Sequence, residues 1–187
     1  MKQWIAVIIL LTVGMEMKAQ KKWQFHSQNY VGLLEGEVGS AFQFQTINGM
    51  QRGTWFAGLG TGLDWYMRRS VPLFLSINKD WKPSNRTFYF SLDGGTNFAW
   101  TKDGQNEGNG SIYSEYSPGF FWGAGIGYKA GLRNKKDAVL INIGYSYKTI
   151  KEEVVKSTYC INPPCPTYSD FYDYKTNRVS IRFGWQF

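Results

Sequence analysis

Three features of the sequence predict an all-β chain, an eight-stranded antiparallel up-and-down transmembrane β-barrel. The first is the closing stretch from Arg178 to Phe187. There Val179, Ile181, Phe183, Trp185 and Phe187 fall on one side of a strand, while Arg178, Ser180, Arg182, Gly184 and Gln186 fall on the other. The second is composition: 43% apolar residues, 18% aromatics and 21 glycines in 187 residues favour strands and tight turns over helices. The third is that no apolar run beyond residue 20 approaches the ~18 residues of a membrane helix, so any crossing is made by strands of about 9 to 11 residues.

The alternation of the last ten residues and their aromatic end resemble the small outer-membrane β-barrel proteins of Gram-negative-type bacteria, whose closing strand similarly alternates and ends in Phe. The resemblance implies one outer-membrane β-barrel domain over residues 20–187, located in the outer membrane. It also implies that Phe183, Trp185 and Phe187 form the C-terminal signal read by the barrel-insertion machinery. Members of the family serve in envelope structure, surface interaction or as accessory subunits, with outer-membrane lipid and lipopolysaccharide around them.

The N-terminus reads as a secretory signal peptide, residues 1–19: Lys2, an apolar run from Trp4 to Val13, Gly14, and then Met17-Lys18-Ala19 with cleavage after Ala19. An apolar run of about ten residues is too short to anchor as a helix, and no cysteine near the cleavage site offers a lipid anchor. The formal charge is +7, and removal of Lys2, Glu16 and Lys18 leaves +6. A basic balance favours anionic partners in general, but an exported chain meets little nucleic acid, so no nucleic-acid partner is expected.

Counted back from Phe187, period-two segments recur over Ala138–Lys151, Phe120–Leu132, Thr87–Trp100, Val71–Asn78 and Trp55–Trp65. Two less regular strands fill Phe25–Asn48 and break around Glu35 to Gly39. An even count of eight sets both chain ends on the periplasmic side. The long connections Thr101–Ser117 and Glu152–Asp173 then fall outside the cell, with the short Met67–Ser70. The turns near Asn48–Gly53, Lys79–Arg86 and Arg133–Asp137 fall in the periplasm.

The triplets Gly58, Gly60, Gly62 and Gly123, Gly125, Gly127 lack the spacing of a dinucleotide fingerprint, so no cofactor is expected. Every-second glycines on an inward face instead leave room for larger neighbours in a narrow barrel filled by side chains. On that same face lie Asp64, Asp93, Lys129, Lys148, Arg178 and Arg182. Charges in so narrow an interior need partners, so these six are expected to form an internal polar network. Cys160 and Cys165 enclose four residues, and in an oxidising exported setting they are expected to form a disulfide. Two cysteines without a nearby histidine fall short of a zinc site.

No catalytic residues are expected. Some eight-stranded outer-membrane barrels are lipid A acyltransferases or deacylases that use His with Ser near the outer leaflet. Here His26, the sole histidine, begins the first strand at the periplasmic end, and Ser27 beside it points to the opposite face. The function read from the sequence is therefore a non-enzymatic barrel with a filled lumen. Two alternatives are a soluble exported lipocalin-like carrier of a small hydrophobic ligand, whose apolar face would point inward, and a narrow channel for small hydrophobic molecules. Both long outer connections are acidic and the periplasmic turns basic, with Asp80 counted among the turn charges. The second outer connection carries Tyr159, Tyr168, Phe171, Tyr172 and Tyr174. These aromatics either anchor a protein partner, as buried aromatics do at interfaces, or form the aromatic girdle and the packing of the loop itself.

Overall fold

The computed structural model describes residues 22–100, 112–132, 137–157 and 166–187. The expected signal peptide, and Cys160 and Cys165, lie outside the described residues. Among the described residues nine strands follow one another: β1 (Gln24–Gly36), β2 (Gly39–Arg52), β3 (Trp55–Asp64), β4 (Ser70–Trp81), β5 (Thr87–Ala99), β6 (Ile112–Ser117), β7 (Gly119–Gly131), β8 (Ala138–Ser157) and β9 (Thr167–Gln186). All pairs are antiparallel. The order β1-β2-β3-β4-β5-β7-β8-β9 closes on itself, because β9 pairs with β8 on one side and with β1 on the other. Eight strands thus make a ring. Beyond the last strand residue, Phe187 extends the closure: its N–H donates to Ser27 O at 3.1 Å and its carbonyl accepts from Ser27 N at 2.9 Å.

The strands alternate in direction, so the ring has two distinct ends. The turn end carries the start of β1, the end of β9 and the connection at Gly53-Thr54, where Gly53 takes a left-handed φ of 66°. The loop end carries the β1–β2 and β3–β4 connections, and the end of β8 and the start of β9 run out beyond it. Two expected loops there are partly strand. β8 and β9 stay paired from Lys151↔Asp173 out to Ser157↔Thr167, and β6 flanks β8 from Ser117↔Lys151 to Ile112↔Lys156. These three strands form an extension past the ring, in which residues 167–177 of β9 pair with β8 alone. The sequence hides this because no single face of the extension is buried in a core, so Glu152-Glu153-Val154-Val155 has no reason to alternate.

β6 continues the line of β7 with a one-residue slip. The register passes from Ser117↔Lys151 to Phe121↔Lys148, which leaves one extra residue on the β6–β7 side. A bulge at Pro118 explains it, since proline brings no donor to the ladder. Thr149 Oγ1 accepts from the Phe120 N–H at 2.7 Å and satisfies a donor that the slip displaces. Pro72 in β4 interrupts its ladder without shifting it: the β3–β4 pairing has no assigned partners between Thr61↔Leu73 and Asp64↔Ser70, yet the register is the same on both sides.

Alternation sorts the side chains by face. Leu59, Leu75, Ile143, Ile181 and Phe183 point outward and are exposed, whereas Phe56, Phe74, Tyr89, Phe121 and Leu140 point inward and are buried. The interior is packed by pairing large residues with absent ones. A Cβ on Gly60 would strike the Phe74 ring, and one on Gly127 would strike the Tyr89 ring. Phe74 in turn meets Phe121 with ring centroids 5.2 Å apart. Gly127→Val is therefore expected to destabilise the fold by about 1–3 kcal/mol through overpacking. Gly94→Ala, whose Cβ meets nothing within 4 Å, should stay within about 0.5 kcal/mol of the parent. Urea unfolding followed by tryptophan fluorescence checks both, and equal midpoints for the two variants would contradict the inward packing of Tyr89.

Candidate functional site

The inward side chains form polar layers stacked along the ring. Nearest the loop end, Asp64 of β3 meets Lys148 of β8 and Arg178 of β9, all three buried. Lys148 Nζ lies 3.1 Å from Asp64 Oδ1, and Arg178 pairs with Asp64 Oδ2. The ammonium also donates to Ser70 Oγ at 3.0 Å and to the carbonyls of Tyr66 and Arg68 at 2.9 and 3.0 Å. Those two carbonyls flank Met67, whose φ of 59° is rare for a residue with a side chain. Clamped on both sides by one buried ammonium, the β3–β4 connection holds this conformation. Tyr66 completes the layer: its N–H donates to Asp64 Oδ1 at 2.8 Å, its hydroxyl accepts from Val38 N at 2.8 Å, and Arg178 stacks 5.6 Å over its ring.

In the middle layer Arg182 of β9 spreads its donors over three strands. Nε and one terminal nitrogen donate to Asn142 Oδ1 at 3.0 and 2.7 Å, and the other donates to Gln45 Oε1 at 2.8 Å and Asp93 Oδ2 at 3.3 Å. Tyr30 and Tyr89 share a hydroxyl contact of 3.3 Å beneath it, and Gln28 Oε1 accepts from both Tyr30 and Asn78. At the turn end Lys129 lies 2.8 Å from Asp80, which also accepts from Gln51 Nε2 at 3.2 Å. A cavity of about 270 Å³ opens there, lined by Gln24, His26, Gln51, Asp80 and Lys129 among others.

The six charged residues expected inside the ring thus occupy three separate layers: Asp64 with Lys148 and Arg178, Asp93 with Arg182, and Lys129 with Asp80. Asp80 needs correcting, because β4 runs on to Trp81 and the inward series Phe74, Ser76, Asn78 carries it into the interior rather than into a basic turn. The signal was the unbroken period of two. Glu152, at the start of the expected outer connection, is instead buried on β8, where it accepts from Tyr116 at 2.9 Å and pairs with Arg68 at 3.4 Å. Nothing in the sequence marks Arg68 as its partner, since 84 residues separate them. Phe183, Trp185 and Phe187 all point outward and are exposed.

His26 is buried at the turn end with no partner for Nδ1, while Ser27 points away and its Oγ is 3.4 Å from the Asn29 amide on the outer face. The two form no nucleophile–base pair. No group of three or more His, Cys, Asp or Glu that would hold a metal occurs among the described residues. Among these interior groups four cations meet three carboxylates, each within reach of an opposite partner, which leaves a formal excess of one positive charge. No family model, curated protein or solved structure matches the chain.

Removing Asp64 leaves two buried cations without their anion. Asp64→Asn should cost about 3–5 kcal/mol, whereas Arg68→Ala, at a pair whose Arg side chain is 41% exposed, should cost under about 1 kcal/mol. Chemical denaturation of the two variants separates these values. In the extension, burial opposes ionisation of Glu152, but hydrogen bonds from Tyr116, Ser114 and Tyr174 and the Arg68 charge outweigh it and hold the carboxyl below its usual 4.5. A lowered folded-state value gives stability that is full above the unfolded value and lost as pH falls through the folded one. Hydrogen-exchange protection of residues 151–156 should therefore hold at neutral pH and fall on acidification below about 4.5, and unchanged protection at acid pH would exclude this role for Glu152.

Proposed function

We propose that the chain is a non-enzymatic integral outer-membrane β-barrel with a side-chain-filled lumen, serving the envelope as a structural, surface-interaction or accessory-subunit protein. The observation that carries the reading is the inversion of the usual soluble order. The closed ring buries charge and exposes a broad apolar band, with Leu75 at 63%, Ile143 at 59% and Phe183 at 54% exposure. Aromatics edge the band at both ends: Trp23, Trp55, Trp81 and Phe187 at the turn end, and Phe42, Trp65, Trp100 and Phe120 at the loop end. That is the order of a barrel wall in lipid, an apolar belt between two aromatic girdles. The outward residues at the end of the chain run from Val179 on β9 to Phe187 just past it, which at about 3.3 Å per residue and the usual tilt spans roughly 19–22 Å, most of a belt of about 25 Å.

Outer-membrane lipid would cover the band and lipopolysaccharide its outer edge, and Phe183, Trp185 and Phe187 would carry the insertion signal. A protein partner would dock on the extension, where Phe171 and Tyr168 are exposed at 76% and 54%. The carrier alternative calls for an apolar interior, whereas Arg182, Asp93 and Lys129 fill this one. The channel alternative calls for an open path, which Phe74, Phe121, Tyr30 and Tyr89 obstruct.

Membrane fractionation with a heat-modifiability gel tests the reading: the protein should sediment with the outer membrane and migrate faster unheated than heated. Ile181→Arg should lower stability by about 2–4 kcal/mol as a charge near the middle of the belt, and deletion of Phe187 should reduce assembly. Recovery in the soluble periplasm, with both variants assembling normally, would remove the membrane reading. Purified protein in planar bilayers should show no steady conductance.

A further inference from the structure

The outward wall is not uniformly apolar. Asn29 on β1, Thr46 and Asn48 on β2 and Thr61 on β3 point outward and are exposed or half-buried, whereas Ser27 lies on the same face of β1 but is buried. The register sets them side by side, with Ser27 opposite Asn48, Asn29 opposite Thr46 and Thr46 opposite Thr61. Together they make one polar island across three strands. Apolar outward side chains enclose it: Val31, Phe44 and Leu63 toward the loop end, and Phe25, Met50 and Leu59 toward the turn end. On the flanking strands Asn29 faces Trp185 of β9 and Thr61 faces Leu73 of β4. The island therefore sits inside the proposed lipid belt and not at its edge.

Lipid hydrocarbon offers such groups no hydrogen bond. A threonine or serine hydroxyl can turn back onto nearby backbone, but a primary amide has two donors and two acceptor sites and cannot satisfy them locally. Asn48 is exposed and has no side-chain partner among the described residues, and Asn29 makes one long contact to Ser27 Oγ at 3.4 Å. The island also carries no charge, so it specifies no partner of opposite sign. Each of its groups both donates and accepts, so the surface is complementary to itself. A two-fold axis through it would set amides and hydroxyls against the same set on another copy, with the apolar rim packing wall to wall.

We propose that a second copy of this chain docks on the β1–β3 wall, so that the protein is a two-fold dimer in the membrane with Asn29 and Asn48 at its centre. The inference rests on the membrane reading above. It is tested on the full-length protein in native outer membranes, in a Cys160→Ser/Cys165→Ser background, with a short bis-maleimide and a single probe cysteine. Thr61→Cys, at the β3 edge of the island, should give a homodimer band. Ile143→Cys, on the β8 wall away from it, should give none. Adding Asn29→Leu and Asn48→Leu to the Thr61→Cys protein should cut the dimer yield by about tenfold or more, while the heat-modifiable shift persists and shows that the barrel still folds. Equal labelling from both walls, no dimer from either, or a link from Thr61→Cys to a different protein would overturn the proposal. If the protein instead fractionates as soluble, the membrane reading itself fails, an outcome that the same preparation distinguishes before cross-linking begins.

Discussion

Closure of the ring by β9 against both β8 and β1 is the constraint from which the rest of the structure follows. Once residues 178–186 are paired on both sides, every ring strand has two neighbours and no free edge, and period-two alternation divides the side chains into an enclosed set and an outer set. The enclosed volume is then fixed by strand number. Large residues fit only where the facing position is empty, which accounts for Phe74 against Gly60 and Tyr89 against Gly127. The Phe187–Ser27 backbone pair is the last link of that closure.

Enclosure also dictates the ionic arrangement. A cation inside the ring has no bulk water to solvate it, so it must lie within reach of a carboxylate or a convergence of carbonyls and amide oxygens. Lys148 has both, with Asp64 on one side and the Tyr66 and Arg68 carbonyls on another. Arg182 uses the planar spread of its guanidinium to bridge Asn142, Gln45 and Asp93, a geometry that a lysine does not provide. Because these partners come from strands far apart in the chain, the polar layers act as cross-ties over the ring.

What the sequence made legible follows from the same constraint. Where one face is enclosed, as in β3, β4, β5, β7 and the ring portions of β8 and β9, alternation is enforced and can be read residue by residue. β1 and β2 were harder because Ser27, Asn29, Thr46 and Asn48 stand on the outer face and blur the contrast between the two sets. The extension was illegible because neither of its faces is enclosed. Its strands continue by inheriting the β8–β9 register, a property of pairing that no local pattern records. The partners of the charged residues were illegible for a further reason: alternation gives the face but not the height. Asp64, Lys148 and Arg178 were readable as inward, yet only the stagger of the strands brings them into one layer, and Arg68 reaches Glu152 from a connection whose conformation no periodicity describes.

The two ends of the ring are built for different loads. The turn end has short connections, the cavity beside His26 and a single buried pair, Lys129 with Asp80. The loop end bears the three-stranded extension, and there the interior is most heavily cross-tied. Glu152 on the extension pairs with Arg68, the Arg68 carbonyl receives Lys148, and Lys148 meets Asp64, which also holds Arg178. This is a continuous chain of contacts from the extension, through the β3–β4 connection, to the β8 and β9 segments inside the ring. Buried charge pairs are poor sources of net stability but strong sources of positional definition, because any displacement exposes an unpaired ion to a low dielectric. Asp64, Lys148 and Arg178 thus tie β3, β8 and β9 together at the level where the extension leaves the ring.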